Sequence, residues 1–79
     1  MTKNFIHKTS IIDKNVKLGK KIKIWQWTHI SSNSSIGDSC TLGQNIFIGN
    51  KVKIGKGCKI QNNVSVYEGV SLGDYVFCG

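Results

Sequence analysis

Hydrophobic positions recur along this chain at a fixed interval. Every sixth residue from Ile6 is aliphatic: Ile6, Ile12, Leu18, Ile24, Ile30, Ile36, Leu42, Ile48, Ile54, Ile60, Val66 and Leu72, with Cys78 next in phase. About a quarter of the chain is Ile, Leu or Val, so twelve phase-locked positions have a chance probability on the order of 10⁻⁷. From Ser10 onward, two residues before each residue of this series stands a small or β-branched residue: Ser10, Val16, Ile22, Thr28, Ser34, Cys40, Ile46, Val52, Cys58, Val64, Val70 and Val76. Residues two apart on a strand point to the same side, so both registers face inward. The position between them is mostly polar, as at Lys17, Lys23, Ser35, Thr41, Lys53, Lys59, Ser65 and Ser71, and points outward.

The turn residues complete the unit. Glycine follows the aliphatic at Gly19, Gly37, Gly43, Gly49, Gly55, Gly73 and Gly79. Three residues after the aliphatic stand Asn15, Asn33, Asn45, Gly57, Asn63 and Gly69, types that tolerate a left-handed backbone. Each hexad is predicted to be one short strand and one turn. Neither a helix nor a hairpin ladder has a strict period of six, whereas a coil stacking on itself does. The order of aliphatic, glycine, two variable residues, a small residue and a further variable one resembles the hexapeptide-repeat acyltransferases. That resemblance implies an all-β fold, a left-handed parallel β-helix. Its coils would be triangles of three hexads, about four 18-residue coils in one domain over residues 1–79. The handedness follows from the resemblance alone.

At eighteen residues per coil, three outward columns arise. Lys17, Ser35, Lys53 and Ser71 form a polar one, and Phe5, Lys23, Thr41, Lys59 and Phe77 a mixed one. The third, Ile11, His29, Phe47 and Ser65, is partly apolar and suggests a covered surface, most simply a subunit interface. The corner leading into that side carries Trp25-Gln26-Trp27, Gly43-Gln44-Asn45 and Gln61-Asn62-Asn63, a carboxamide ladder. The corner before it carries glycine followed by Lys20, Asp38, Lys56 or Asp74 and is generic by comparison. A site in this chain is therefore expected at the amide corner. A conformational role accounts for Asn45 and Asn63 at the left-handed position. Gln44 and Asn62 have no such role; they either contact a ligand or bond to neighbouring amides. His29 is expected to be an interface or stacking residue before a base. Trp25 and Trp27 are expected to cap the first coils or pack on a partner.

Composition removes several classes. Proline, alanine and arginine are absent, and three leucines stand against eleven isoleucines and six valines, which argues against a helix bundle. An apolar content of 39% including two Trp, two Tyr and three Phe argues against disorder. No apolar run approaches the ~18 residues of a membrane span and no signal peptide is evident, so membrane insertion is not expected. Three cysteines do not make a disulfide framework, and a cytoplasmic setting is the default. Cys40 and Cys58 should stack as free, inert core thiols, with Cys78 similar. His7 and His29 do not stack, so no metal site is expected; the γ-class carbonic anhydrases of the same fold need three histidines. Net charge +7 comes from eleven lysines spread over outward and turn positions. They keep the surface soluble and would attract phosphorylated ligands, whereas nucleic acid is not expected without arginine or a basic cluster. A non-catalytic scaffold or interaction module is the competing class. An ice-binding face is disfavoured because Thr2, Thr9, Thr28 and Thr41 form no ladder.

Longer segments narrow the resemblance. Ile6-His7-Lys8-Thr9-Ser10-Ile11-Ile12-Asp13, Lys23-Ile24-Trp25 and Leu42-Gly43-Gln44-Asn45-Ile46-Phe47-Ile48-Gly49-Asn50 are similar to one subgroup of sugar acetyltransferases. Lys59-Ile60-Gln61-Asn62-Asn63-Val64-Ser65-Val66-Tyr67-Glu68-Gly69-Val70 and Val76-Phe77-Cys78-Gly79 resemble it most closely. That subgroup N-acetylates the 3-amino group of a UDP-linked 2-acetamido-3-amino-2,3-dideoxy-glucuronic acid for bacterial surface polysaccharide. The resemblance implies acetyl-CoA as co-substrate, a UDP-linked amino sugar as acceptor and a homotrimer. It places Gln44, Asn45, Gln61, Asn62, Asn63, Tyr67 and Glu68 near the nucleotide-sugar pocket and nominates no catalytic residue here. Members of the subgroup continue past the Phe-Cys-Gly motif into coils that carry a catalysis-linked asparagine and much of the acetyl-CoA groove. The chain is thus expected to be the N-terminal part of such an enzyme and inactive alone.

Overall fold

The computed structural model describes residues 3–79, so Thr2 lies outside the described residues. Thirteen strands of two residues each run along the chain at six-residue intervals, and the described residues contain no helix. They form three parallel sheets. The first joins β1 (Phe5–Ile6), β4 (Lys23–Ile24), β7 (Thr41–Leu42), β10 (Lys59–Ile60) and β13 (Phe77–Cys78). The second joins β2 (Ile11–Ile12), β5 (His29–Ile30), β8 (Phe47–Ile48) and β11 (Ser65–Val66). The third joins β3 (Lys17–Leu18), β6 (Ser35–Ile36), β9 (Lys53–Ile54) and β12 (Ser71–Leu72). Each residue pairs with the one eighteen positions away, as in Lys23↔Thr41 and Thr41↔Lys59, so the three expected outward columns are present. The chain is a parallel β-helix of about four coils, 31 × 25 × 25 Å.

The backbone explains the period. From Asn15 to Tyr75 every sixth residue has a positive φ, between 56° and 77°, including Lys21, Trp27, Ser39, Lys51 and Tyr75 as well as the predicted Asn and Gly. A left-handed residue costs an ordinary side chain of the order of 1 kcal/mol. The cost is met by inter-coil hydrogen bonds: the Asn45 N–H donates to the Gln26 carbonyl at 2.9 Å, and the Tyr75 N–H to the Lys56 carbonyl at 2.8 Å. Only the first corner departs from this geometry, closing as a turn with the Ser10 N–H on the His7 carbonyl at 2.9 Å.

The inner registers fill the prism. Ile22, Ile24, Ile30, Leu42, Ile46, Ile48 and Val52 are fully enclosed or nearly so. Burial fades towards the terminal coils, where Ile6 and Val70 are 38% and 36% exposed, because a coil is covered only where another stacks on it. Small polar residues in the inner register reach the corner carbonyls. Thr28 Oγ1 donates to the Gly43 carbonyl at 2.8 Å, Ser34 Oγ to that of Gly49 at 2.6 Å, and Cys40 Sγ to that of Gly55 at 3.0 Å. These buried groups are therefore satisfied rather than stranded. Cys40, Cys58 and Cys78 are free thiols, the first two buried and the last partly so. Burial pushes the Cys40 thiol above its ordinary pKa. Among the described residues no helix is long and apolar enough to cross a membrane.

Candidate functional site

The amide corner joins the first sheet to the second. Gln44 and Asn45 follow β7, and Gln61, Asn62 and Asn63 follow β10 one coil further on. Two hydrogen bonds from carboxamide side chains tie these coils together. Asn62 Oδ1 accepts from the Gln44 N–H at 2.8 Å, and Asn45 Nδ2 donates to Asn63 Oδ1 at 2.9 Å. Asn45 and Asn63 hold φ of 56° and 64°, the conformational role expected of them. Gln26 stands apart, its Oε1 buried without a hydrogen-bond partner.

The generic corner uses the same clip. Asp38 Oδ1 accepts from the Lys20 N–H at 2.8 Å, and Asp74 Oδ1 from the Lys56 N–H at 2.9 Å. Two coils leave the amide N–H of this corner position pointing at a short side chain eighteen residues on, and a carboxylate or carboxamide oxygen meets it equally well. An amide at this position is therefore no sign of a ligand by itself. What distinguishes Asn62 from Asp38 is that its Nδ2 remains a donor once Oδ1 is engaged.

Tyr67 and Glu68 lie elsewhere. They follow β11, on the corner between the second and third sheets, and Tyr67 is 73% exposed. The seven sequence-nominated residues thus divide between two corners, five on one and two on the other, with the outward column Ile11, His29, Phe47 and Ser65 between them. In that column His29 Nε2 lies 3.0 Å from Asp13 Oδ2, and its ring meets Phe47 edge-on at 5.7 Å. His29 is thus a stacked, hydrogen-bonded residue.

A hollow of about 280 Å³ opens beside the amide corner, lined by Trp25, Thr41, Gly43, Gln44, Lys59, Ile60, Gln61 and Asn62. The sequence places a site at the amide corner, and the hollow lies on the first-sheet side of that corner. The reason is steric. On the second-sheet side Phe47 and His29 fill the surface. On the first-sheet side Gly43 stands between Trp25 and Gln61, and a Cβ there would come within 2.3 Å of Asn62 Oδ1. Trp25, 40% exposed, forms one wall and leans on Phe5 with ring centroids 5.1 Å apart. Gln44, Gln61 and Asn62 line the hollow; Asn45, Asn63, Tyr67 and Glu68 do not. Trp25, Thr41 and Lys59 do, and the signal for them was the large–small–large run Trp25/Gly43/Gln61 in one stacked register. Among the described residues no three His, Cys, Asp or Glu side chains gather as metal ligands.

No protein-family model matches the chain, and no curated protein does. Solved structures similar to it include two variants of an N-acetyltransferase. One is a variant of perosamine N-acetyltransferase from Caulobacter crescentus in complex with CoA and GDP-perosamine, 20% identical with a TM-score of 0.47 over 94% of this chain and 51% of that chain. A second variant from the same organism, with the same two molecules, gives 19%, 0.46, 94% and 51%. PerB from Caulobacter crescentus, again with CoA and GDP-perosamine, gives 16%, 0.42, 96% and 51%. The chain spans about half the length of the solved structures it matches.

Proposed function

We propose that this chain is part of an N-acetyltransferase that moves acetyl from acetyl-CoA to the amino group of a nucleotide-linked sugar, in a cytoplasmic route to bacterial surface polysaccharide. The observation that carries the reading is the hollow at the amide corner, whose polar lining of Thr41, Gln44, Lys59, Gln61 and Asn62 contains no acidic group. The resemblance of Lys59–Val70 and Val76–Gly79 to the UDP-2-acetamido-3-amino-2,3-dideoxy-glucuronate acetyltransferases supports the finer assignment of a UDP-linked 3-amino sugar. A homotrimer would cover the column Ile11, His29 and Phe47, of which Ile11 and Phe47 are 57% and 41% exposed.

In the reaction the uncharged sugar amine attacks the thioester carbonyl. The N–C bond forms, the C–S bond breaks, the amine loses a proton and CoA leaves as its thiol. Carboxamides and hydroxyls orient hydroxyls and carbonyls well but are poor proton acceptors. The residues gathered here therefore bind and position, and rate enhancement from this part of the enzyme is by orientation. No general base is assigned among them, and the chain alone is expected to be inactive, its partner coils supplying the remaining groups.

The test uses the intact protein that carries this chain, with acetyl-CoA and UDP-2-acetamido-3-amino-2,3-dideoxy-glucuronate. Release of CoA thiol with gain of one acetyl group on the sugar is expected. Failure with this and several other nucleotide-linked amino sugars overturns the reading. A non-catalytic scaffold is the second reading, favoured by the engagement of Asn62, Asn45 and Asn63 in clips between coils.

A further inference from the structure

Charge is unevenly distributed along the axis of the β-helix. Seven of the eleven lysines lie within residues 3–23, where Asp13 is the one acidic residue, for a net charge of +6. Residues 24–79 set the other four lysines against Asp38, Glu68 and Asp74, a net of +1, and no lysine follows Lys59. The first coil is thus strongly basic, and the last, with Glu68 and Asp74, is acidic.

The fold turns this asymmetry into a ring. Lys8, Lys14 and Lys20 stand on the three corners of the first coil, Lys17 lies on β3, and Lys23 sits one rung above Phe5. All five are exposed, as are Lys3 and Lys21. The side without a lysine is that of Ile11, the column assigned above to the subunit contact. Asp13 does little to offset the ring, because its carboxylate is engaged by His29 Nε2 at 3.0 Å. Between the lysines stand two exposed aromatic rings. Phe5 is 44% exposed, and Trp27, whose N–H donates to Thr9 Oγ1 on the coil below at 2.9 Å, is 61% exposed.

Ammonium groups on three corners of a prism point in different directions and cannot converge on one compact ligand. They can all meet a plane laid across the end of the prism, their flexible stems bending toward it. A plane of negative charge with an apolar layer behind it is the surface of an anionic bilayer. We propose that the first coil docks end-on against an anionic phospholipid bilayer, its lysines on the headgroups and Phe5 and Trp27 at the headgroup boundary, without spanning it. The acidic last coil then points away, so the charge asymmetry itself sets the orientation. Nucleic acid fits less well: arginine is absent, and the lysines surround the prism instead of lining one groove. None of these residues lines the hollow at the amide corner, so the surface is independent of acetyl transfer.

The experiment is flotation of the intact protein that carries this chain with vesicles of phosphatidylcholine, alone or with about 30 mol% phosphatidylglycerol. Binding to the anionic vesicles alone is expected, weakening at least about tenfold as salt rises from about 50 to 300 mM. The variant Lys8→Gln/Lys14→Gln/Lys20→Gln removes one exposed lysine from each corner. It should bind about 100-fold more weakly, roughly fivefold for each lysine. Lys51→Gln/Lys53→Gln/Lys56→Gln removes the same charge two coils away and should cost less than about tenfold, since those groups lie a Debye length further from the lipid. No binding to the anionic vesicles, or equal losses from the two variants, overturns the proposal. Equally tight binding to duplex DNA at matched phosphate concentration, lost alike in the first variant, overturns it in favour of nucleic acid. Self-association that needs the same lysines, without lipid binding, assigns the ring to the acidic coil of a second copy and also overturns it. Failure of acetyl transfer by the intact protein would leave lipid binding untouched, so the two readings fall separately.

Discussion

The amide corner and the lysine–aspartate corner share one backbone and differ only in what they hang on it. Both have a left-handed residue, at Asn45 and Asn63 in one and at Ser39 and Gly57 in the other. Both clip an N–H to a side-chain oxygen one coil away, Gln44 to Asn62 and Lys20 to Asp38. The lysine–aspartate corner has glycine on every coil, Gly19, Gly37, Gly55 and Gly73. The amide corner has glycine on one coil between two large side chains, and that interruption makes the hollow. The hollow beside the amide corner thus coincides with a break in side-chain volume along one stacked register.

The largest effect should come from the glycines of the lysine–aspartate corner, where inner and terminal coils differ in crowding. A Cβ at Gly37 would lie 2.6 Å from the Gly55 carbonyl carbon and 2.7 Å from the Lys56 nitrogen, backbone atoms that cannot give way. Overpacking of this kind costs about 1–3 kcal/mol, so Gly37→Ala should lower Tm by on the order of 10 °C in a thermal melt followed by circular dichroism. Gly73→Ala, at the same corner on the terminal coil, meets nothing within 4 Å and should melt within a few degrees of the parent. Equal losses from both would refute the crowding account.

Removing the clips comes next. Asp38→Ala and Asn62→Ala each free one exposed backbone N–H and should each cost about 0.5–1.5 kcal/mol in urea unfolding. The two values should agree within a few tenths, because the clip is the same. A much smaller cost at Asn62 would mean that its side chain is held for a ligand rather than for the fold.

The smallest effect concerns the inner donors beneath each corner, a hydroxyl at Thr28 and thiols at Cys40 and Cys58. Desolvation raises the Cys40 pKa in the folded chain, so the neutral thiol is favoured there. A raised folded pKa means that the folded state keeps its proton longer than the unfolded one. The stability this gives is present below the ordinary thiol range and is lost as pH climbs through the raised value. Stability should therefore be flat near neutrality and decline at alkaline pH, and a Cys40→Ser chain should lack that part of the decline. Under native conditions alkylation read by mass spectrometry should label Cys78 before Cys40 or Cys58.

Much of the fold was legible because a two-residue strand and a corner repeat in every hexad, with one backbone geometry at each corner from Asn15 to Tyr75. The aliphatic series from Ile6 to Leu72 matched the inner strand positions, and the pairings Ile11↔His29 and His29↔Phe47 put the expected columns in register. The left-handed positions were legible at Asn15, Asn33, Asn45, Gly57, Asn63 and Gly69. They were not at Lys21, Trp27, Ser39, Lys51 and Tyr75, where neighbouring coils impose a geometry that the residue does not prefer. The amide corner was legible, and the hollow beside it was not. Trp25 read as a cap or packing residue, and it does lean on Phe5, yet its exposed face also walls the hollow. Tyr67 and Glu68 belonged to the same resemblance as Gln44 and Asn62 but stand on another corner.

By itself the sequence determined the period, the inward and outward registers and the strand-and-corner unit, because each is decided within a few bonds along the chain. Tertiary structure decided which corner opens and in which direction. That outcome depends on volumes eighteen residues apart, Trp25 against Gly43 against Gln61, which touch only after the coils have stacked.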